Sequence, residues 1–192
     1  MQLFVATHNQ NKVREIAELL PAFEIAAEDS EAEETESTFA GNARLKARAL
    51  AKRHPGAWIL ADDSGLEVFA LNGEPGVYSA RYSEDDGESV SSAERTARNN
   101  AKLLRKLEGV TDRRAQFTCA IALVDPKGQE FTVEGHCPGT IAHEPAGTGG
   151  FGYDPLFVPE GHSCSFAELG PEAKNAISHR GRALAAARTL IA

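Results

Sequence analysis

Trp58-Ile59-Leu60-Ala61 is an apolar run that passes straight into Asp62-Asp63-Ser64-Gly65, with Leu66 to Leu71 following as a further apolar stretch. The first run predicts a buried strand, and the segment after Gly65 predicts a second one. Charged groups delivered at a strand's carboxyl end mark where α/β folds carry out chemistry. Two adjacent carboxylates beside a core must be solvated or neutralised by a cation. A hard divalent ion such as Mg²⁺ suits carboxylate oxygens, and an Asp-Asp-Ser turn capping the next element would use the same residues.

Working outward, Leu3-Phe4-Val5-Ala6 predicts a short buried strand, followed by a polar turn and a helix with Val13, Ile16, Leu19 and Leu20 on one face. Glu24 to Glu36 holds seven acidic residues and no basic one, which predicts a solvated loop. Thr38 to His54 has an apolar, alanine-rich side and a basic one, and Pro55-Gly56 ends it as a helix. Ser89 to Leu107 predicts a second long helix. Gln116 to Val124 and Glu130 to Cys137 predict a hairpin about Asp125-Pro126-Lys127-Gly128. A glycine-rich stretch, a short acidic turn and a helix over Ser178 to Leu190 close the chain. The alternation predicts an α/β fold with a mixed sheet, and no linker or repeat divides residues 1–192, so one domain is expected.

The 192 residues carry 20 Lys+Arg against 28 Asp+Glu, a net charge of −8, which argues against nucleic acid or an anionic membrane as partner. An anionic small molecule would have to be held locally. Cys119, Cys137 and Cys164 form neither a paired metal motif nor a disulfide framework, and no apolar run approaches the ~18 residues of a membrane span. With no signal-like start, a cytoplasmic protein is expected.

Three further clusters could carry chemistry. Thr7-His8-Asn9-Gln10-Asn11-Lys12 lies between strand and helix, where backbone N–H groups, the helix dipole and a lysine attract phosphate; an N-cap by Asn9 or Asn11 is the structural alternative. Gly147, Gly149, Gly150 and Gly152 let backbone approach a ligand closely, and Phe151 and Tyr153 could stack on it; a bulged turn would use the same glycines. Lys174, His179 and Arg180 bring three donors to the start of the last helix, which is either an anion site or a solvated face.

Together these clusters resemble a known family. Ala61-Asp62-Asp63-Ser64-Gly65-Leu66, Pro75-Gly76-Val77-Tyr78-Ser79-Ala80-Arg81-Tyr82, Gly149-Gly150-Phe151-Gly152-Tyr153-Asp154-Pro155 and Lys174-Asn175-Ala176-Ile177-Ser178-His179-Arg180-Gly181 are similar to motifs of the inosine/xanthosine triphosphate pyrophosphatases, the Ham1-like proteins. The resemblance runs from Ala6 to about Arg182. It implies a long twisted mixed β-sheet with flanking helices forming two lobes around a central cleft, usually in a homodimer.

Carried onto this chain, the resemblance implies that Thr7, Asn9, Lys12 and Lys46 hold a triphosphate, with His8, Gln10 and Asn11 in the same loop. Glu33 and Asp63 would bind Mg²⁺, Asp63 would accept a proton, and Asp62 would support the metal or its waters. Ser64 would touch substrate, while Phe151, Gly152, Tyr153, Asp154, Lys174, His179 and Arg180 would line the base and sugar site. The implied reaction is Mg²⁺-dependent hydrolysis of dITP, ITP and XTP to monophosphate and pyrophosphate, which cleanses the nucleotide pool. Donors such as His179 and Arg180 suit a purine carbonyl at position six, where adenine offers an amino group. Two rivals are a Maf-like hydrolase of other modified or pyrimidine nucleotides and a non-catalytic nucleotide sensor; the Ser178-His179-Arg180 match and the acidic residues Glu33, Asp62 and Asp63 weigh against them.

Overall fold

The computed structural model describes residues 1–83 and 91–191. Along them run β1 (Gln2–Ala6), α1 (Gln10–Leu19), β2 (Glu24–Glu28), α2 (Phe39–Arg53), β3 (Trp58–Val68), α3 (Ser92–Lys106), β4 (Arg114–Val124), β5 (Glu130–Ile141), β6 (Phe157–Pro159), α4 (Pro171–Ile177) and α5 (His179–Arg188). The strands form a sheet in the order β2-β1-β3-β4-β5-β6. β1 pairs in parallel with both β2 and β3, and β5 pairs antiparallel with β6, so the sheet is mixed. The chain divides into two compact units, one of Met1–Ser64, Thr118–His136 and Ile177–Ala192, the other of Gly65–Phe117 and Cys137–Ala176.

The first unit is built on the strand-turn-helix opening. Leu3 and Val5 are fully buried on β1 and pack with Ile16 and Leu20 from the α1 segment, Leu60 of β3, Ile121 and Leu123 of β4, and Leu184 and Ala187 of α5. Thr38, Ser178 and Asn9 cap α2, α5 and α1 with side-chain oxygens that accept backbone N–H groups, so these helix starts follow from residue type. The expected hairpin is present: β4 and β5 are neighbours, and Asp125 Oδ1 accepts from Lys127 N and Gln129 N, each at 2.8 Å, to fix the turn. Gly135 lets α5 lie directly on β5, since a Cβ there would sit 2.2 Å from the His179 carbonyl oxygen.

In the second unit Phe117 meets Phe157 edge-on at 4.6 Å between centroids, and Phe166 packs against Phe157 at 5.1 Å. Tyr153 Oη donates to the Ser79 carbonyl at 2.9 Å, while Ser79 Oγ accepts from Leu66 N at 2.9 Å. The Pro75-to-Tyr82 motif is thus an anchoring segment, folded as a 3-10 helix over Gly76–Arg81.

Four expectations are corrected. The acidic stretch is not all loop, because Glu24–Glu28 is a strand at the edge of the sheet, and Glu28 pairs with Arg53 at 3.3 Å and meets His54 Nε2 at 3.0 Å. The two strands expected around Asp62-Asp63 are one eleven-residue strand, and Phe69–Leu71 is a 3-10 turn. The acidic turn before the last helix contains α4, and α5 stops at Arg188. The helix expected from Ser89 is observed as Ser92–Lys106 with Ser91 as its cap; residues 89 and 90 lie outside the described residues.

Candidate active site

A continuous β3 explains why two adjacent carboxylates have different surroundings. Successive side chains on a strand face opposite sides of the sheet, so Asp62 and Asp63 are sent to different partners. Both are buried.

Asp62 is enclosed by donors. One carboxylate oxygen meets Lys12 Nζ, the other accepts from Arg180 Nε at 3.0 Å and Cys119 Sγ at 2.9 Å. Burial works against the charged form, but Arg180 and then Lys12 overcome it and hold the Asp62 carboxyl well below the usual range. Burial and the Asp62 charge push the Cys119 thiol well up, which keeps it protonated and able to donate. Arg180, itself 1% exposed, also donates to Glu15 through Nη1 and to Ser64 Oγ through Nη2 at 2.8 Å.

Asp63 stands differently. Its Oδ1 accepts from Lys46 Nζ at 2.8 Å, whereas Oδ2 is buried and has no hydrogen-bond partner. Burial raises the Asp63 carboxyl above the usual range despite the opposing pull of Lys46 and Lys12. Lys46 also reaches Glu34 Oε1 at 3.1 Å. Burial works against its charge, but Asp63 and Glu34 outweigh it and hold the ammonium protonated.

The loop after β1 is drawn to this place by register, because Ala6 pairs with Ala61, the residue before Asp62. Asn9 Oδ1 accepts from Asn11 N at 3.0 Å and Lys12 N at 3.4 Å, and Thr7 Oγ1 accepts from Asn9 N at 3.1 Å. The N-cap alternative is therefore realised, and Lys12 supplies a full charge in the first turn of α1. Asn11 Oδ1 accepts from Arg14, while His8 is exposed, with Nδ1 3.5 Å from Asp29. Gln10 is exposed.

The expected site residues fall into both units. Thr7 to Lys12, Glu33, Lys46, Asp62, Asp63, Ser64, His179 and Arg180 belong to the first, and Phe151 to Asp154 with Lys174 to the second. In the second unit Asp154 Oδ2 accepts from Lys174 Nζ at 2.7 Å and from Phe151 N at 2.8 Å. The Lys174 ammonium lies over the Phe151 ring, 4.9 Å from its centroid. Gly150 has φ of +68°, and a Cβ there would strike Asp154 Oδ2, so glycine is needed for this tight loop. Tyr153 is not available for stacking as expected: it is buried, and its hydroxyl is committed to Ser79. Phe151 is half-buried.

Three contributors escaped the sequence reading. Glu15 follows Lys12 by three residues and so shares its face of α1, a spacing visible in the sequence. Cys119 sits in an apolar strand with nothing to mark it. Glu34, rather than Glu33, meets Lys46; Glu33 is exposed, and a run of carboxylates gives no sign of which one turns inward.

The sequence pattern of the Ham1 family matches residues 3–190. The chain belongs to the Ham1 family. A protein of Geobacter sulfurreducens named dITP/XTP pyrophosphatase is 51% identical over 193 residues, covering 96% of this chain and 93% of that one. A protein of Rhodospirillum centenum with the same name is 50% identical over 190 residues, covering 94% and 90%. The solved structure of the Staphylococcus aureus Ham1 protein superposes with a TM-score of 0.85 at 41% identity, covering 100% of this chain and 98% of that one. These likenesses agree with the mixed α/β fold expected of a Ham1 member.

Proposed function

We propose that this chain hydrolyses deaminated purine nucleoside triphosphates, dITP, ITP and XTP, to the monophosphate and pyrophosphate. The names of its relatives support the reaction class, and one observation carries the assignment to residues: Asp63 presents a buried carboxylate oxygen with no partner beside a protonated lysine.

The donor set fits a small hard cation. Asp63 Oδ2 and the neighbouring Glu34 offer carboxylate oxygens, and no group of three His, Cys, Asp or Glu side chains gathers among the described residues. An ion that keeps most of its shell as water and substrate phosphate, as Mg²⁺ does, suits so few protein ligands. When bound, it would supply positive charge to the phosphate oxygens. Glu33, the ligand expected from the resemblance, remains the other candidate for the second carboxylate, and comparing Glu33→Gln with Glu34→Gln separates them.

In this reading Lys12 and Lys46 offset the triphosphate charge, and Thr7 and Asn9 keep α1's first turn in place beneath it. Asp63 accepts a proton from the attacking water. The water oxygen bonds to the α-phosphorus while the bond to the bridging oxygen breaks, and pyrophosphate leaves. Arg180 braces Asp62, Glu15 and Ser64, and His179 and Arg180 are proposed as the donors to the purine carbonyl. Phe151 to Asp154 and Lys174 are proposed as nucleoside contacts, with Tyr153 acting as the loop's anchor.

We place the protein in the cytoplasm as a homodimer acting on a small molecule, not on nucleic acid or membrane. No helix among the described residues is long and apolar enough to cross a bilayer. Purified protein should release pyrophosphate from dITP and XTP with Mg²⁺, and little from dATP, dGTP or dTTP. Orthophosphate release or preference for a pyrimidine would assign it elsewhere, and binding without hydrolysis would make it a sensor.

A further inference from the structure

The acidic arm that carries Glu33 and Glu34 is held against α2 by two residues with no role in the scheme above. Asn42 is 1% exposed, and its Oδ1 accepts from the Glu36 backbone N–H at 3.0 Å, while its Nδ2 is buried without a partner. Gly41 lies against the same residue, since a Cβ there would sit 2.6 Å from Glu36 Cβ and 2.8 Å from its Cγ. Asn42 also precedes Lys46 by four residues, one turn along the same helix face. A buried amide left half-satisfied is costly to the fold and finds its explanation in position.

We infer that Gly41 and Asn42 form a seat for the arm, and that they are positioning residues which set Glu34 on Lys46 and so complete the cation site beside Asp63. The inference rests on the proposed function. Gly41 lets the arm approach, Asn42 pins its backbone, and Lys46 joins the seated Glu34 to Asp63.

The test uses Gly41→Ala and Asn42→Leu in the full chain. Alanine is the better helix former, but its Cβ would also lie 3.0 Å from Oγ1 of the N-cap Thr38, so helical content by circular dichroism is read as well, to separate arm displacement from loss of the helix. The readouts are Mn²⁺ affinity without nucleotide, deuterium exchange at the Glu36 amide, melting temperature, and pyrophosphate release from dITP. Both variants are expected to bind Mn²⁺ about 10- to 100-fold more weakly, the scale seen when residues supporting a metal ligand are changed. Exchange at Glu36 should rise in both, while the helical content of Gly41→Ala stays at the wild-type level. Asn42→Asp, which keeps the acceptor, should restore slow exchange relative to Asn42→Leu. Wild-type Mn²⁺ affinity and exchange in Gly41→Ala and Asn42→Leu would overturn the seat. Should wild-type protein release no pyrophosphate from dITP, the proposed function fails instead, while exchange and Mn²⁺ binding still decide the role of Gly41 and Asn42.

Discussion

Asp62 and Asp63 are neighbours in sequence with opposite electrostatic fates, and pH separates them. Asp62 is held below its unfolded value, so its contribution to stability is present above the ordinary carboxylate value near 4 and is lost as pH falls through its folded value. Asp63 is held above, so its contribution is full below that ordinary value and is lost as pH rises through its folded value. In metal-free buffer at pH 7, Asp63→Asn is therefore expected to melt at or above the wild-type temperature, and in the presence of Mg²⁺ to lose at least about 10²-fold in turnover. A melting temperature several degrees lower would show that the Asp63 charge supports the fold. Arg180→Ala leaves Asp62 and Glu15 buried with a cation removed, and should cost about 3–5 kcal/mol in urea unfolding; a loss under 1 kcal/mol would contradict the brace. The placement of Asp62-Asp63 against the core was legible from the apolar run before it. Their division of labour was not, because Lys12, Lys46, Cys119 and Arg180 arrive from four distant segments.

At the scale of elements, the parts with their own punctuation were legible. β1 with α1, α2 with Thr38 and His54 as its caps, and the β4-β5 hairpin each carry their boundaries in a cap, a turn or an apolar run. β2 was hidden because its sheet partner and the arginine beside Glu28 lie outside its own residues. β3 was cut in two for the same reason: charges that would break a strand alone are neutralised by side chains from elsewhere. The close seat of α5 on β5 gives a prediction here. Gly135→Ala places a Cβ where the backbone of His179 and Ala183 already lies, so it should destabilise by about 1–3 kcal/mol in urea unfolding and lower turnover with it. Unchanged stability would mean that α5 is not held at that distance.

For the whole molecule, the acidic balance of −8 and the cationic site fit together. In the proposed scheme a highly charged anion is bound not by a basic surface but by Lys12 and Lys46, each already matched to a carboxylate. Removing either lysine should therefore raise KM for dITP tenfold or more, and mutating exposed Arg44 should not; steady-state kinetics of Lys12→Ala, Lys46→Ala and Arg44→Ala test this. The family pattern spans both compact units as one stretch, residues 3–190, so the proposed function belongs to the whole chain.

The most direct measurement is hydrolysis of dITP in ¹⁸O-labelled water with Mg²⁺, by wild-type protein and Asp63→Asn, with the products weighed by mass spectrometry. Attack on the α-phosphorus with Asp63 as proton acceptor predicts one ¹⁸O in dIMP, none in pyrophosphate, and no product above background from the variant. Label in pyrophosphate or orthophosphate, or an Asp63→Asn variant that turns over like wild type, would contradict it.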